Sequence, residues 1–144
     1  MEIIRIVIKG ASGYGPVDAA YEDKVTLTPS SISYEYKPHP MSQSETNTYR
    51  KLSYKTNSPM FKDIFDMVAA ETPKYLHCDD ELLALDIGPT DIIVTYEDKH
   101  KESLHLFCPS EYFADLFRLI KQLIPPCEDI PAVLMTQEDY ENIE

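Results

Sequence analysis

The stretch GASGYGP at residues 10–16 holds Gly10, Gly13 and Gly15 directly after the apolar run IIRIVI. Glycines that follow a strand can aim backbone N–H groups at a phosphate. Gly13, Tyr14 and Gly15, with the cations Arg50 and Lys51, are therefore the candidate ligand-binding residues. Neither established phosphate-loop pattern is met. No Gly-Lys pair occurs for G-x-x-x-x-G-K-[ST], and G-x-G-x-x-G is replaced here by G-x-x-G-x-G followed by Pro16. The expectation is a backbone device between two strands, a positive φ or a bulge, with Tyr14 folded back on the core.

His77, Cys78, Asp79 and Asp80 are adjacent, and His105 and Cys108 lie three apart, so metal ligation is the next chemistry to weigh. Zinc sites pair spaced ligands such as C-x2-C. On a strand His105 and Cys108 point to opposite faces, and adjacent His77 and Cys78 also diverge. Buried thiols beside exposed histidines are expected, with no metal and no cofactor. Cys78 and Cys108 are nucleophile types, but no G-x-S-x-G elbow surrounds a serine. Asp79, Asp80, Glu81, Asp86 and Asp91 crowd one region, and in so acidic a chain solvated carboxylates are the default. No catalytic residue is expected.

Thirteen basic residues stand against 25 acidic ones in 144, a formal charge of −12 that opposes long-range attraction to nucleic acid or anionic membrane. Residues 127–144 hold six acids and no Lys or Arg, around the apolar patch Val133, Leu134 and Met135. Between Thr46 and Lys62 the bias reverses: Arg50, Lys51, Lys55 and Lys62 meet no acid. Tyr49 and Tyr54 interleave these cations as a base-stacking surface would, but a solvated strand that uses lysine to blunt a sheet edge is the expected role. The apolar start is preceded by Glu2, broken by Arg5 and followed by no small-residue cleavage site, so a strand is expected rather than a signal peptide. No run reaches the roughly 18 apolar residues of a membrane helix. Three irregularly spaced cysteines fit a reducing compartment, and a cytoplasmic location is expected.

The elements that position these residues follow from periodicity. Residues 3–8 read as a strand buried on both faces. Residues 24–28 and 31–37 are rich in β-branched and aromatic side chains and form a hairpin over Pro29-Ser30, with Ile32, Tyr34 and Tyr36 on one face. Residues 38–47 are an exposed loop, and 48–55 a further strand. Ser58 and Pro59 open a helix with Phe61, Ile64, Phe65, Val68 and Ala69 in one stripe, and Pro73 ends it. Residues 77–88 hold a strand or a helical turn, and 92–97 and 103–107 two strands. A second helix near Pro109-Ser110 buries Phe113, Leu116, Phe117, Ile120, Leu123 and Ile124. Thr136 and Asp139 have the spacing of a short terminal helix turn.

The SGYGP loop (Ser12 to Pro16), the hairpin behind it, the Thr90-Asp91 start of a strand pair and the helix after a proline together resemble a family of small bacterial domains of unknown function. The resemblance spans roughly residues 1–124 and implies no activity.

The expected fold is α+β: a mostly antiparallel sheet of six to seven strands with two amphipathic helices on one face, one domain over 1–126 and an acidic tail over 127–144, docked or free. The expected function is a non-catalytic protein-binding module of the immunity or inhibitor kind, steered to a basic partner by its acidic surface, with Val133, Leu134, Met135, Glu138 and Asp139 as contacts. The alternative is a small-ligand or anion-binding domain, or a weak enzyme, built on the glycine loop with Arg50 and Lys51.

Overall fold

The computed structural model describes residues 2–12, 16–76, 89–106, 110–124, 131–136 and 139. Six strands form one antiparallel sheet: β1 (Ile3–Ala11), β2 (Tyr21–Thr28), β3 (Ser31–Pro38), β4 (Arg50–Lys55), β5 (Thr90–Tyr96) and β6 (Lys101–Leu106), in the order β4-β3-β2-β1-β5-β6. The helices are α1 (Pro59–Glu71), the short α2 (Pro73–Leu76) and α3 (Ala114–Lys121). The α+β architecture is the one expected.

Period-two patterning builds the core. Ile6 and Ile8 of β1, Val25 and Leu27 of β2, Ile32, Tyr34 and Tyr36 of β3, and Ile92 and Val94 of β5 all turn to one side and are buried. Phe61, Phe65 and Val68 of α1 and Leu116, Phe117 and Ile120 of α3 join them in one cluster, so the helices cover that face. The spacing of those helical residues, three or four apart, is what lets one stripe of each helix meet a flat sheet. The hairpin over Pro29-Ser30 forms as expected, with Thr28 opposite Ser31.

The opposite face remains exposed, and this corrects the expectation for β1. Ile6 and Ile8 are fully buried, but Arg5 and Lys9 on either side of them are exposed and Val7 between them is only half-buried, so β1 is fully buried on one face only. Its apolar start misled because the pairing with β5 shifts between Ile3 and Arg5, leaving Ile4 outside the alternation at 39% exposure. Ser58 precedes α1 as expected, yet its hydroxyl makes no capping bond there; Pro59 occupies the first turn.

The loop over 39–49 is held by polar bonds rather than left loose. Asn47 Nδ2 donates to the carbonyls of Asp18 and Ala20, both at 2.9 Å, and its Oδ1 accepts from Tyr36 Oη. Tyr36 in turn stacks on Tyr21 at 4.9 Å, with the Arg50 guanidinium 4.3 Å over its ring. Asn47→Ala is expected to cost about 1–2 kcal/mol, since it strips partners from a mostly buried tyrosine and two carbonyls. Thermal unfolding of the two proteins measures it.

Candidate functional site

The β1–β2 register sets Lys9 directly opposite Lys24 on the exposed face. Lys24 lies opposite Glu35 of β3, Glu35 opposite Lys51 of β4, Lys9 opposite Asp91 of β5, and Asp91 opposite His105 of β6. One row of ionisable side chains therefore crosses all six strands. Around it the face carries Arg5, Lys37, Lys55 and Lys101 and the acid Glu22, so cations outnumber acids on this face in a chain of formal charge −12. A concavity of about 340 Å³ opens over the row beside Ala11, walled by Lys9, Lys24, Lys37, Glu22, Glu35 and Asp91. Ala11 is the smallest side chain on this part of the face and forms part of the hollow's lining.

The two acids of the row are already engaged. Glu35 accepts from Tyr49 Oη at 2.8 Å and pairs with Lys37 Nζ at 3.3 Å. The Tyr49 hydroxyl, and after it Lys37, hold the Glu35 carboxyl below its ordinary value. Asp91 Oδ1 is bonded to His105 Nδ1. Among the described residues neither Lys9 nor Lys24 has an ion pair within 4.0 Å.

A second polar cluster lies on the covered side, where residues 131–136 pack across the ends of β1 and β2. Asp23, 4% exposed, sits opposite Gly10 and Tyr36. Its Oδ2 accepts from the Val133 N–H at 2.8 Å and from Tyr34 Oη at 2.9 Å, while the Ala132 N–H donates to Tyr34 Oη at 3.3 Å. Its Oδ1 is buried without a hydrogen-bond partner. Burial pushes the Asp23 carboxyl up, against the hydrogen bonds from Tyr34 and Val133 and the charge of Arg50. Burial likewise, with the Asp23 charge next, pushes the Tyr34 phenol up. Further along, Asp139 Oδ2 accepts from Lys121 Nζ at 2.5 Å and from the Thr136 N–H at 3.0 Å, closing the turn that the Thr136 and Asp139 spacing suggests. Burial raises the Asp139 carboxyl, but Lys121 and Thr136 outweigh it and hold it below its ordinary value.

Arg50 and Lys51, singled out together from sequence, are separated by this arrangement. Arg50 and Lys51 are neighbours on β4 and therefore leave opposite faces: Arg50 stacks on Tyr36, and Lys51 faces Glu35 on the exposed side. The cationic stretch from Thr46 to Lys62 is not one patch, since Lys62 stands on α1 paired with Asp66. Gly13, Tyr14 and Gly15 lie outside the described residues, as do His77, Cys78, Asp79, Asp80, Glu81, Asp86, Cys108 and Glu138. The strands flanking the loop pair directly, and the Ser12 N–H donates to the Tyr21 carbonyl at 3.0 Å, so residues 12–20 connect two neighbouring antiparallel strands. Val133 and Leu134 are buried at 8% and 0% exposure, Met135 is half-buried, and Asp139 is held by Lys121. In this arrangement Val133 and Leu134 are part of the chain's own core.

Lys9, Lys24 and Asp23 escape a reading by linear motif. Lys24 and Glu35 could have been paired from the hairpin, by counting outward from Pro29-Ser30. Among the described residues no group of His, Cys, Asp and Glu is placed to hold a metal ion, and no helix is long and apolar enough to cross a membrane. Comparison of the chain with protein-family models and with curated proteins finds no match.

Proposed function

We propose that the protein is a non-catalytic interaction module of the immunity or inhibitor kind, working in the cytoplasm, and that it binds its partner protein through the exposed face of the sheet. The observation that carries this reading is the row from Lys51 to His105: six strands present ionisable side chains in fixed register on a face that the helices leave open. A rigid sheet holds such a pattern at little entropic cost, and a patterned charge surface selects partners more than it adds raw affinity. Val133 and Leu134, being buried, support the same shift of the contact surface away from the C-terminal segment.

Affinity capture with three proteins tests this: the wild type, Lys9→Glu/Lys24→Glu, and the charge-matched Lys62→Glu/Lys74→Glu, which alters the helical side. A protein retained by the first and third but lost with the second is expected. Equal retention by all three contradicts the reading.

A small-anion binder is the second reading, favoured by the hollow beside Lys9, Lys24 and Lys37, whose volume is at the low end of the roughly 300–1,000 Å³ typical of ligand pockets. A thermal-shift series with phosphate, pyrophosphate and nucleotides separates the two. A true ligand at 100 times its dissociation constant stabilises by about 2.7 kcal/mol.

A further inference from the structure

We infer that the exposed face receives an acidic segment of a partner protein, and that one of its carboxylates seats between Lys9 and Lys24. The inference rests on the interaction-module reading and adds the chemistry of the partner.

Like charges directly opposite on neighbouring antiparallel strands have Cβ atoms only about 5 Å apart and destabilise the pair. Lys9 and Lys24 are such a pair. Each has an acid as its other cross-strand neighbour, which is the usual remedy, yet both acids are drawn elsewhere: Glu35 to Tyr49 and Lys37, Asp91 to His105. Two ammonium groups consequently face one hollow without an ion-pair partner among the described residues. An anionic group placed there meets both at once. Lys37 at the wall and Lys51 further along the same row supply attraction for further acids of an extended segment, while Glu35 and Asp91 punctuate the row and oppose a uniformly anionic ligand lying across it. That punctuation favours a polypeptide, whose charges are spaced, over a nucleic acid, whose phosphates are continuous.

The net charge of −12 does not contradict an acidic contact. At physiological salt the Debye length is about 8 Å, so distant carboxylates are screened while charges lining the hollow act at contact range.

Calorimetric titration of a ten-residue peptide alternating Glu and Ser into the full chain at low and at physiological salt tests the inference, with four proteins in parallel. Binding to the wild type is expected, weakened about tenfold or more by Lys9→Glu/Lys24→Glu and by less than about twofold by Lys62→Glu/Lys74→Glu, as contact charges differ from remote ones. The conservative Lys9→Arg/Lys24→Arg pair should retain affinity. Inorganic phosphate alone and a dT10 oligonucleotide complete the set. Phosphate binding as tightly as the peptide would assign the hollow to a free anion, and tighter oligonucleotide binding would assign it to nucleic acid; either overturns the inference. Absence of peptide binding also overturns it. If capture of a partner still depends on Lys9 and Lys24 in that case, the interaction-module reading survives alone.

Discussion

Replacing Gly10 with valine is expected to destabilise the protein by about 3 kcal/mol, at the upper end of what overpacking a filled core costs. A Cβ on Gly10 would stand 2.6 Å from Val133 Cγ2, 2.9 Å from Val133 Cβ and 2.9 Å from Asp23 Oδ1. Side-chain atoms do not approach so closely, and here neither neighbour is a flexible end. Val133 is buried and tied through its N–H to Asp23, and Asp23 is tied to Tyr34. The segment carrying Val133 and Leu134 must lift or the strand must bend. For a chain of this length the midpoint of thermal unfolding should fall by about 6–12 °C. A double-mutant cycle localises the cause: Gly10→Ala should cost clearly less in a Val133→Ala background, because the nearest clash is gone, whereas additive costs would show that Val133 is not what Gly10 accommodates.

The second large effect concerns Asp23. Asp23→Ala leaves the Val133 N–H and the Tyr34 hydroxyl without their acceptor in a site closed to water, at about 1–3 kcal/mol for each orphaned donor, partly offset by removal of a buried charge. A net loss of about 2–4 kcal/mol is expected, with faster amide hydrogen exchange at Val133. Asp23→Asn retains an acceptor and isolates the charge. Because burial raises the folded-state value above the ordinary 3.8, the stability attached to Asp23 is fully present below about that pH and declines as pH rises through the raised value. The difference in unfolding free energy between wild type and Asp23→Asn should therefore drift against the wild type over that window and be flat above it. The hydrogen bonds from Tyr34 and Val133 and the charge of Arg50 oppose the rise and so bear on the position of the window.

Asp139 works in the opposite direction. Its folded-state value is depressed, so the stability it contributes is present above the ordinary 3.8 and is lost as pH falls through the lowered value. Lys121→Met should remove most of that acid-side loss and cost about 1 kcal/mol near neutral pH, as expected for a hydrogen-bonded pair with little exposure. Chemical denaturation between pH 3 and 7 separates the two carboxylates, since Asp23→Asn and Lys121→Met act on slopes of opposite sign. Both hold the same stretch of chain to the sheet and to α3.

Much of the fold is legible in the sequence because local periodicity and packing agree. The stripe Phe61, Phe65 and Val68 is helical in spacing and is buried, and Ile32, Tyr34 and Tyr36 alternate and are buried. The site is less legible. Arg50 and Lys51 look like a pair in the linear sequence, yet the period of two that makes β4 a strand also separates them. Lys9 and Lys24 meet only because β1 and β2 pair across the loop at 12–20, a register that no local pattern reveals. Asp23 reads as one more acid in an acidic chain. Its burial follows from the fold of residues 131–136 back over Gly10, a contact about 110 residues distant in sequence.

Backbone amide shifts in a titration with the peptide of alternating Glu and Ser bear most directly on the central claim that the exposed sheet face is the contact surface. The account predicts perturbations at Lys9, Ala11, Lys24 and Lys37, spreading along the row toward Lys51, with Val133 and Leu134 unmoved and still protected. Perturbations centred on residues 131–136, with the sheet face silent, would contradict it.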